Sequence, residues 1–211
     1  MIYQGSKARF RKYIIPILQE CIDRNNVSIY IEPFVGGANV IDHIRCENRI
    51  ASDVNSELIA LLKYMQSDNS LSIFPADCSF EHYADVRENR KNKTGKYSAE
   101  YTAGIGYFAS FSGRYFDGGY GRDSRGSRSI YSERLRAAKE QAPLLKGIAF
   151  DSCDYTRYKG VKNAVIYLDP PYKQTKAYNN QKFDYNKFYD FCREIARDNY
   201  VFISEYQMPA D

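Results

Sequence analysis

Tryptophan is absent from the 211 residues, and histidine occurs only at His43 and His82. The five cysteines, Cys21, Cys46, Cys78, Cys153 and Cys192, are scattered and form no Cys-x-x-Cys pair. That gives neither a zinc-type ligand set nor a disulfide framework, so no metal is expected, and the thiols are expected to be reduced, as in a cytoplasmic protein. Long uncharged apolar runs are missing too, which excludes a membrane-spanning helix. The opening Met1-Ile2-Tyr3-Gln4-Gly5-Ser6-Lys7 lacks the basic-then-apolar order of a signal peptide. No Gly-x-Gly-x-x-Gly occurs, which argues against a dinucleotide site.

What is present is an apolar content of 44%, enough for one substantial core with a small appended lobe. The net charge is +4, unevenly placed: between Arg87 and Arg136 eleven Lys/Arg face five Asp/Glu. Basic charge gathered in one segment suits a nucleic-acid partner; a solvated face with no ligand is the alternative. Within it, residues 110–128 are rich in Arg, Gly, Tyr and Ser and poor in aliphatics. A long irregular excursion inside a compact domain is usually functional. Arginine interleaved with aromatics suits phosphate contact and base stacking, which makes Arg114, Tyr115, Arg122, Arg125 and Arg128 the candidates.

The rest of the chain alternates helix and strand signals. Apolar side chains from Phe10 to Cys21 follow helical spacing, with Ser6 as N-cap and Pro16 predicting a kink or break. Val27–Glu32 alternates as a strand and runs into Pro33-Phe34-Val35-Gly36-Gly37-Ala38-Asn39-Val40, read as a glycine turn and a helix start. Glycines there let a ligand approach the backbone, and a helix N-terminus favours an anion. Arg49–Asp53 reads as a second strand ending in a carboxylate, about 20 residues past the glycine turn and well placed for ribose hydroxyls. A helix follows from Asn55 to Met65. Residues 79–109 read as helical and mostly polar, and 130–145 as helical again. Gly147–Phe150 is a short strand with a polar turn, Asp151-Ser152-Cys153-Asp154-Tyr155, after it. Ala164–Leu168, an apolar run bounded by polar residues and two prolines, is a buried central strand. Phe183–Arg197 is a helix and Tyr200–Tyr206 a last strand. This alternation predicts an α/β doubly wound sheet.

The central strand delivers Asp169-Pro170-Pro171-Tyr172 to its C-terminal end, the edge where open α/β sheets bind ligands. Ionised Asp169 only accepts hydrogen bonds. Pro170 has a carbonyl on a fixed backbone, and Pro171 holds Pro170 extended. Tyr172 adds a flat stacking face. Two acceptors beside a ring suit a planar group bearing an NH2, such as a nucleobase. A strand that simply ends in a diproline turn is the alternative without a ligand.

Asp-Pro-Pro-Tyr after an apolar strand resembles the catalytic motif of S-adenosylmethionine-dependent amino methyltransferases, and its Asp form is similar to that of the Dam-type DNA adenine-N6 enzymes. Three further stretches resemble that family, in family order. They are Tyr3 with Gly5-Ser6-Lys7 ahead of the first helix, Phe34-x-Gly36-Gly37 with Ala38 where the family has glycine, and Asp53 at the end of the second strand. The resemblance implies a Rossmann-type methyltransferase domain over residues 1–74 and 141–211. It implies a helical, basic-loop DNA-recognition insertion over 75–140, and a sheet without the family's C-terminal hairpin.

The same resemblance implies S-adenosylmethionine as cofactor, contacted by Tyr3, Lys7, Phe34, Gly36, Gly37, Asp53, Asp151, Ser152 and Asp169. Its methyl would pass to N6 of an adenine flipped out of duplex DNA, with Asp169, Pro170 and Tyr172 catalytic. The polar loop Lys173–Lys182 is expected to close over the base. No metal or membrane is implied, and the enzyme is expected to be a cytoplasmic monomer, bacterial or phage-encoded. RNA adenine or cytosine-N4 methylation, and a non-catalytic DNA-binding relative, stay open at this point.

Overall fold

The computed structural model describes residues 1–123, 127–171 and 183–205. Five strands, β1 (Ile29–Glu32), β2 (Asn48–Asp53), β3 (Ile148–Ser152), β4 (Ala164–Leu168) and β5 (Tyr200–Ile203), pair in the order β3-β2-β1-β4-β5. All four pairings are parallel. From β1 the chain crosses to β2 on one side, and from β4 to β5 on the other, so the winding reverses between β1 and β4. Ile31 lies opposite Ile50 in β2 and Ile166 in β4. The segments leaving β1 and β4, Pro33–Ala38 and Asp169–Pro171, therefore meet at the switch point of the expected α/β fold.

The two faces of the sheet are filled separately. Tyr30, Ala51, Val165 and Tyr167 join a core with α1 (Arg11–Arg24), α2 (Ser56–Ser67) and α5 (Ile130–Gln141). Ile31, Ala164, Ile166 and Leu168 join Phe188, Phe191, Cys192 and Ile195 of α6 (Tyr185–Ile195). β4 is buried at every position because both faces are covered, which is why its sequence does not alternate. Each large apolar side chain so buried contributes about 1.5–3 kcal/mol. Helix starts follow local chemistry: Asn55, Ser79, Ser98, Ser129 and Asp184 each cap a helix by accepting an N–H three residues on.

Segment 75–140 contains α3 (Phe80–Asn92), α4 (Ala99–Ala109), the loop after it, and α5. α3 is as polar as expected, but α4 is not: Thr102–Ala109 are all buried. Ile105 and Phe108 share one core with Leu58, Leu61 and Leu62 of α2, so this segment is built onto the sheet's own core. Glycines permit the close packing. A Cβ on Gly104 would lie 2.1 Å from the Phe74 ring, and one on Gly106 2.6 Å from the Tyr115 ring.

Two expectations are corrected. Of the kink or break expected at Pro16, the break does not occur, since α1 runs through it; Pro16 and Lys12, whose carbonyl loses its helical partner there, are both exposed, so the missing bond falls on the solvent side. The helix expected after the glycine turn is a single 3-10 turn, Ile41–His43. A regular helix would use the Gly37 and Ala38 carbonyls, but both accept from the Gln141 side-chain amide, at 3.0 and 3.1 Å. No helix dipole is therefore available at the glycine turn.

Candidate active site

Asp169 sits one residue past β4, and it forms an ion pair with a lysine from the far end of the sequence. Ser6 caps a 3-10 turn, Lys7–Arg9, by accepting the Ala8 N–H. That turn lays Lys7 across the sheet end, where its Nζ donates to both Asp169 oxygens at 2.6 Å and to the Gly5 carbonyl at 3.2 Å. The side chains are 10% and 19% exposed. A partly buried carboxylate with a bound cation stays an acceptor. Pro170 is buried beside it, and among the described residues no donor occupies its carbonyl. The Tyr185 hydroxyl of α6 donates to the Pro171 carbonyl, and the Ser204 N–H to the Leu168 carbonyl at 2.8 Å. The strand end is thus braced on both sides of Asp169.

The glycine turn and the end of β2 form a second group. Asp53 accepts the Gly36 N–H at 3.2 Å on one oxygen and the Asn55 N–H at 3.0 Å on the other. Burial raises its pKa, opposed by these backbone donors. Gly36 has φ +48°, and a Cβ on it would stand 2.8 Å from the Tyr3 ring. Tyr3 therefore packs under the turn, with its ring 5.7 Å from that of Tyr107. Ala38, at the position where the family resemblance expects glycine, has φ +55° and is fully buried. It holds a left-handed conformation that costs an L-residue about 1–2 kcal/mol, kept in place by Gln141 on its carbonyl. The Phe34 ring stacks on Tyr155 at 5.4 Å and meets Phe188 edge-on at 5.9 Å. Asp151 and Ser152 end β3 and are exposed, with Asp151 accepting the Ser152 N–H at 2.9 Å.

Beneath the switch point lies a buried acid. Glu32, the last residue of β1, accepts the Tyr30 hydroxyl at 2.6 Å. Desolvation raises its pKa to about 8, with Asp42 and Asp169 adding repulsion. Asp42 is also raised by burial, opposed by the Gln141 amide that donates to it at 2.8 Å.

The basic segment presents its arginines unevenly. The loop after α4 is closed by Phe111 N–H on the Gly119 carbonyl and Gly121 N–H on the Ala109 carbonyl, both 2.7 Å. Arg114 projects from it, exposed, with no ion pair among the described residues. Tyr115 turns inward instead. Its ring stacks on Tyr107 at 4.6 Å, and its hydroxyl donates to Glu57 at 2.6 Å while accepting from Arg90 at 3.0 Å. Its faces and hydroxyl are committed to joining this loop to α2 and α3, not offered for base stacking. Arg122 lies over the Phe80 ring at 5.0 Å. Arg128 is held by Glu133 through two 2.7 Å bonds. A cleft of about 240 Å³ opens between Gln4, Asn55, Glu57, Tyr107 and Arg114. It adjoins the Asp53 side of the site, not Asp169.

Lys7, Asp169 and Pro170 are thus brought together, as are Tyr3, Gly36, Gly37 and Asp53, with Ser152 the register partner of Asp53 on the adjacent strand β3 and Asp151 beside it. Tyr172, Arg125 and the loop Lys173–Lys182 fall outside the described residues. Sequence reasoning missed Gln141, Glu57, Arg90 and Tyr107. A buried glutamine at a helix end leaves no pattern in the sequence. The donor set has parts that suit S-adenosylmethionine, a lysine for a carboxylate and a carboxylate at the end of β2 for vicinal hydroxyls, while Gly36 is itself buried, with its N–H on Asp53 and the Tyr3 ring against it. Among the described residues no group of His, Cys, Asp and Glu could hold a metal, and no helix is long and apolar enough to cross a membrane.

The chain is similar to known proteins along nearly its whole length. The type II methyltransferase M.MjaIII of Methanocaldococcus jannaschii is 22% identical over 212 residues, covering 87% of this chain and 73% of that one. Residues 3–199 match the profile of the D12 class N6 adenine-specific DNA methyltransferases. With the strand order, the catalytic-edge motif and this match in agreement, the chain belongs to that family and is a DNA adenine-N6 methyltransferase.

Proposed function

We propose that this enzyme methylates N6 of an adenine extruded from duplex DNA, as a monomer with S-adenosylmethionine as donor. When bound, the donor supplies an electrophilic methyl on a sulfonium. The observation that carries the reading is the acceptor pair at the switch point, Asp169 and the Pro170 carbonyl at the end of β4. The adenine amine is a poor nucleophile because its lone pair is delocalised into the ring. Asp169 and Pro170 would accept its two N–H groups and favour the pyramidal nitrogen whose lone pair can attack. Positioning of this kind supplies a large part of the barrier reduction. A base inside a duplex cannot reach a recessed strand end, so it must be flipped, and Tyr172 would stack on it.

Lys7, Tyr3, Gly36, Gly37 and Phe34 would line the methionine side of the donor. Asp53 would take the ribose hydroxyls, and Asp151 and Ser152 the adenine side. Lys7 would serve twice: it pairs with Asp169, and it would meet the donor's carboxylate. Residues 1–74 and 141–211 form the catalytic part, and 75–140 the recognition insertion, with Arg114 and Arg122 on phosphates. Mass spectrometry of nucleosides from treated DNA tests the reading. N6-methyladenine is expected; N4-methylcytosine, or product on RNA only, would overturn it.

A further inference from the structure

Outside the insertion, exposed cations gather at the start of the chain. The first 19 residues contain Lys7, Arg9, Arg11 and Lys12 and no acid before Glu20. Lys7 pairs with Asp169, but Arg9, Arg11 and Lys12 are exposed and make no ion pair among the described residues. Beside them stand three large apolar side chains facing solvent: Phe10, Tyr13 and Ile17, 57%, 60% and 57% exposed. They recur at i, i+3 and i+7, so they share one side of the first two turns of α1. Lys12 lies over the Tyr13 ring at 4.8 Å.

This patch is anchored to the chemistry. The Phe10 N–H donates to the Lys7 carbonyl at 2.8 Å, so the turn whose lysine holds Asp169 also sets where Phe10 points. In chain order the N-terminal segment starts on the insertion, where Gly113 stands against Ile2. It then passes Asp169 at Lys7 and emerges at Arg9–Tyr13. From Arg9 to Lys12 is about 5 Å of helix rise, and the long side chains extend that reach enough to meet neighbouring phosphates of one strand, which advance about 3.4 Å each along the duplex axis.

We propose that Arg9, Phe10, Arg11, Lys12 and Tyr13 form a second DNA-binding face, separate from the insertion, which grips the strand bearing the target nucleotide. The three cations contact successive phosphates, and Phe10 packs on the nucleotide beside the extruded one. Charge complementarity selects the partner: an apolar stripe with Arg9, Arg11 and Lys12 around its N-terminal end, and its first acid, Glu20, only at the far end, fits a polyanion with stacking faces. The inference rests on the duplex-DNA reading above.

The test is equilibrium binding of a fluorescent duplex by the full chain across a salt series, without any activity readout. The variants are Arg9→Ala/Arg11→Ala/Lys12→Ala together, Arg9→Lys/Arg11→Lys, and Phe10→Ala. Losing three phosphate contacts should lower the log–log salt slope by about 2 to 3, so that the affinity lost between 50 and 200 mM salt shrinks roughly 40-fold. The lysine variant should keep the wild-type slope. Phe10→Ala should weaken binding about tenfold at unchanged slope. All replaced residues are exposed, and thermal melts confirm that the fold persists. A triple variant with the wild-type slope overturns the inference, as does a change in oligomeric state as the sole effect of Phe10→Ala, which would make this a face between copies. Wild-type protein that binds no duplex at all would instead overturn the duplex-DNA reading.

Discussion

Replacing Glu32 by Gln should stabilise the protein, and by more at high pH than at low. Glu32 is fully enclosed at the end of β1, and its carboxyl is raised from an ordinary 4.5 to about 8. The native state therefore holds a proton there that the unfolded chain releases across this range. A raised carboxyl pKa means that stability falls as pH climbs from about 4.5 to about 8. At 1.36 kcal/mol per pH unit, the burial costs about 1 kcal/mol at pH 5 and about 4 kcal/mol at pH 8. Glutamine mimics the protonated form in size, and its carbonyl oxygen still accepts the Tyr30 hydroxyl. Urea unfolding of both proteins at pH 5 and pH 8 reads the difference. The gain from Glu32→Gln should grow by roughly 3 kcal/mol between the two, less whatever the neighbouring Asp42 contributes. A gain that is equal at both pH values, or a loss at pH 8, would show that Glu32 is ionised in the folded protein.

Asp53→Ala should weaken S-adenosylmethionine binding by roughly 1–3 kcal/mol in calorimetric titration, as for a lost charged hydrogen bond; unchanged binding would remove Asp53 from the cofactor site. Gly36→Ala forces a side chain into φ +48° and against Tyr3, and should cost at least about 1–2 kcal/mol of stability in denaturant melts. Tyr115→Phe removes the hydroxyl that links Glu57 and Arg90. About 1 kcal/mol of stability should go with it, with DNA affinity within twofold of wild type, because the ring stays on Tyr107.

Much of this was legible in the sequence, for identifiable reasons. β1 and β4 showed because they are short apolar runs closed by Pro33 and by Pro170-Pro171, and a strand stopped by proline can be read without tertiary information. Asp53 and Asp169 showed because a carboxylate after such a run has only the sheet edge to occupy. What was hidden depends on contacts far apart in sequence. Gln141 reaches across more than a hundred residues to the Gly37 and Ala38 carbonyls, and so replaces an expected helix by one 3-10 turn. Tyr115 looked like a stacking ring by composition, but its position under Tyr107 follows from the positive φ values at Ser112, Tyr115 and Phe116. α4 was hidden because the charged α3 dominates residues 79–109 taken together; its own run Ala103–Ala109 is apolar, and Gly104 and Gly106 are where Phe74 and the loop press closest.

The most direct test of the central claim is single-turnover methylation by Asp169→Ala. The carboxylate stands at a strand end, partly exposed, so its removal opens no core cavity. Methyl transfer to adenine N6 on bound DNA should fall on the order of 10²- to 10⁴-fold, with the loss in kcat and with DNA affinity retained. Asp169→Asn, which keeps an acceptor oxygen, should fall less. Turnover near wild type in Asp169→Ala would contradict the assignment of this strand end as the place where the amine is held.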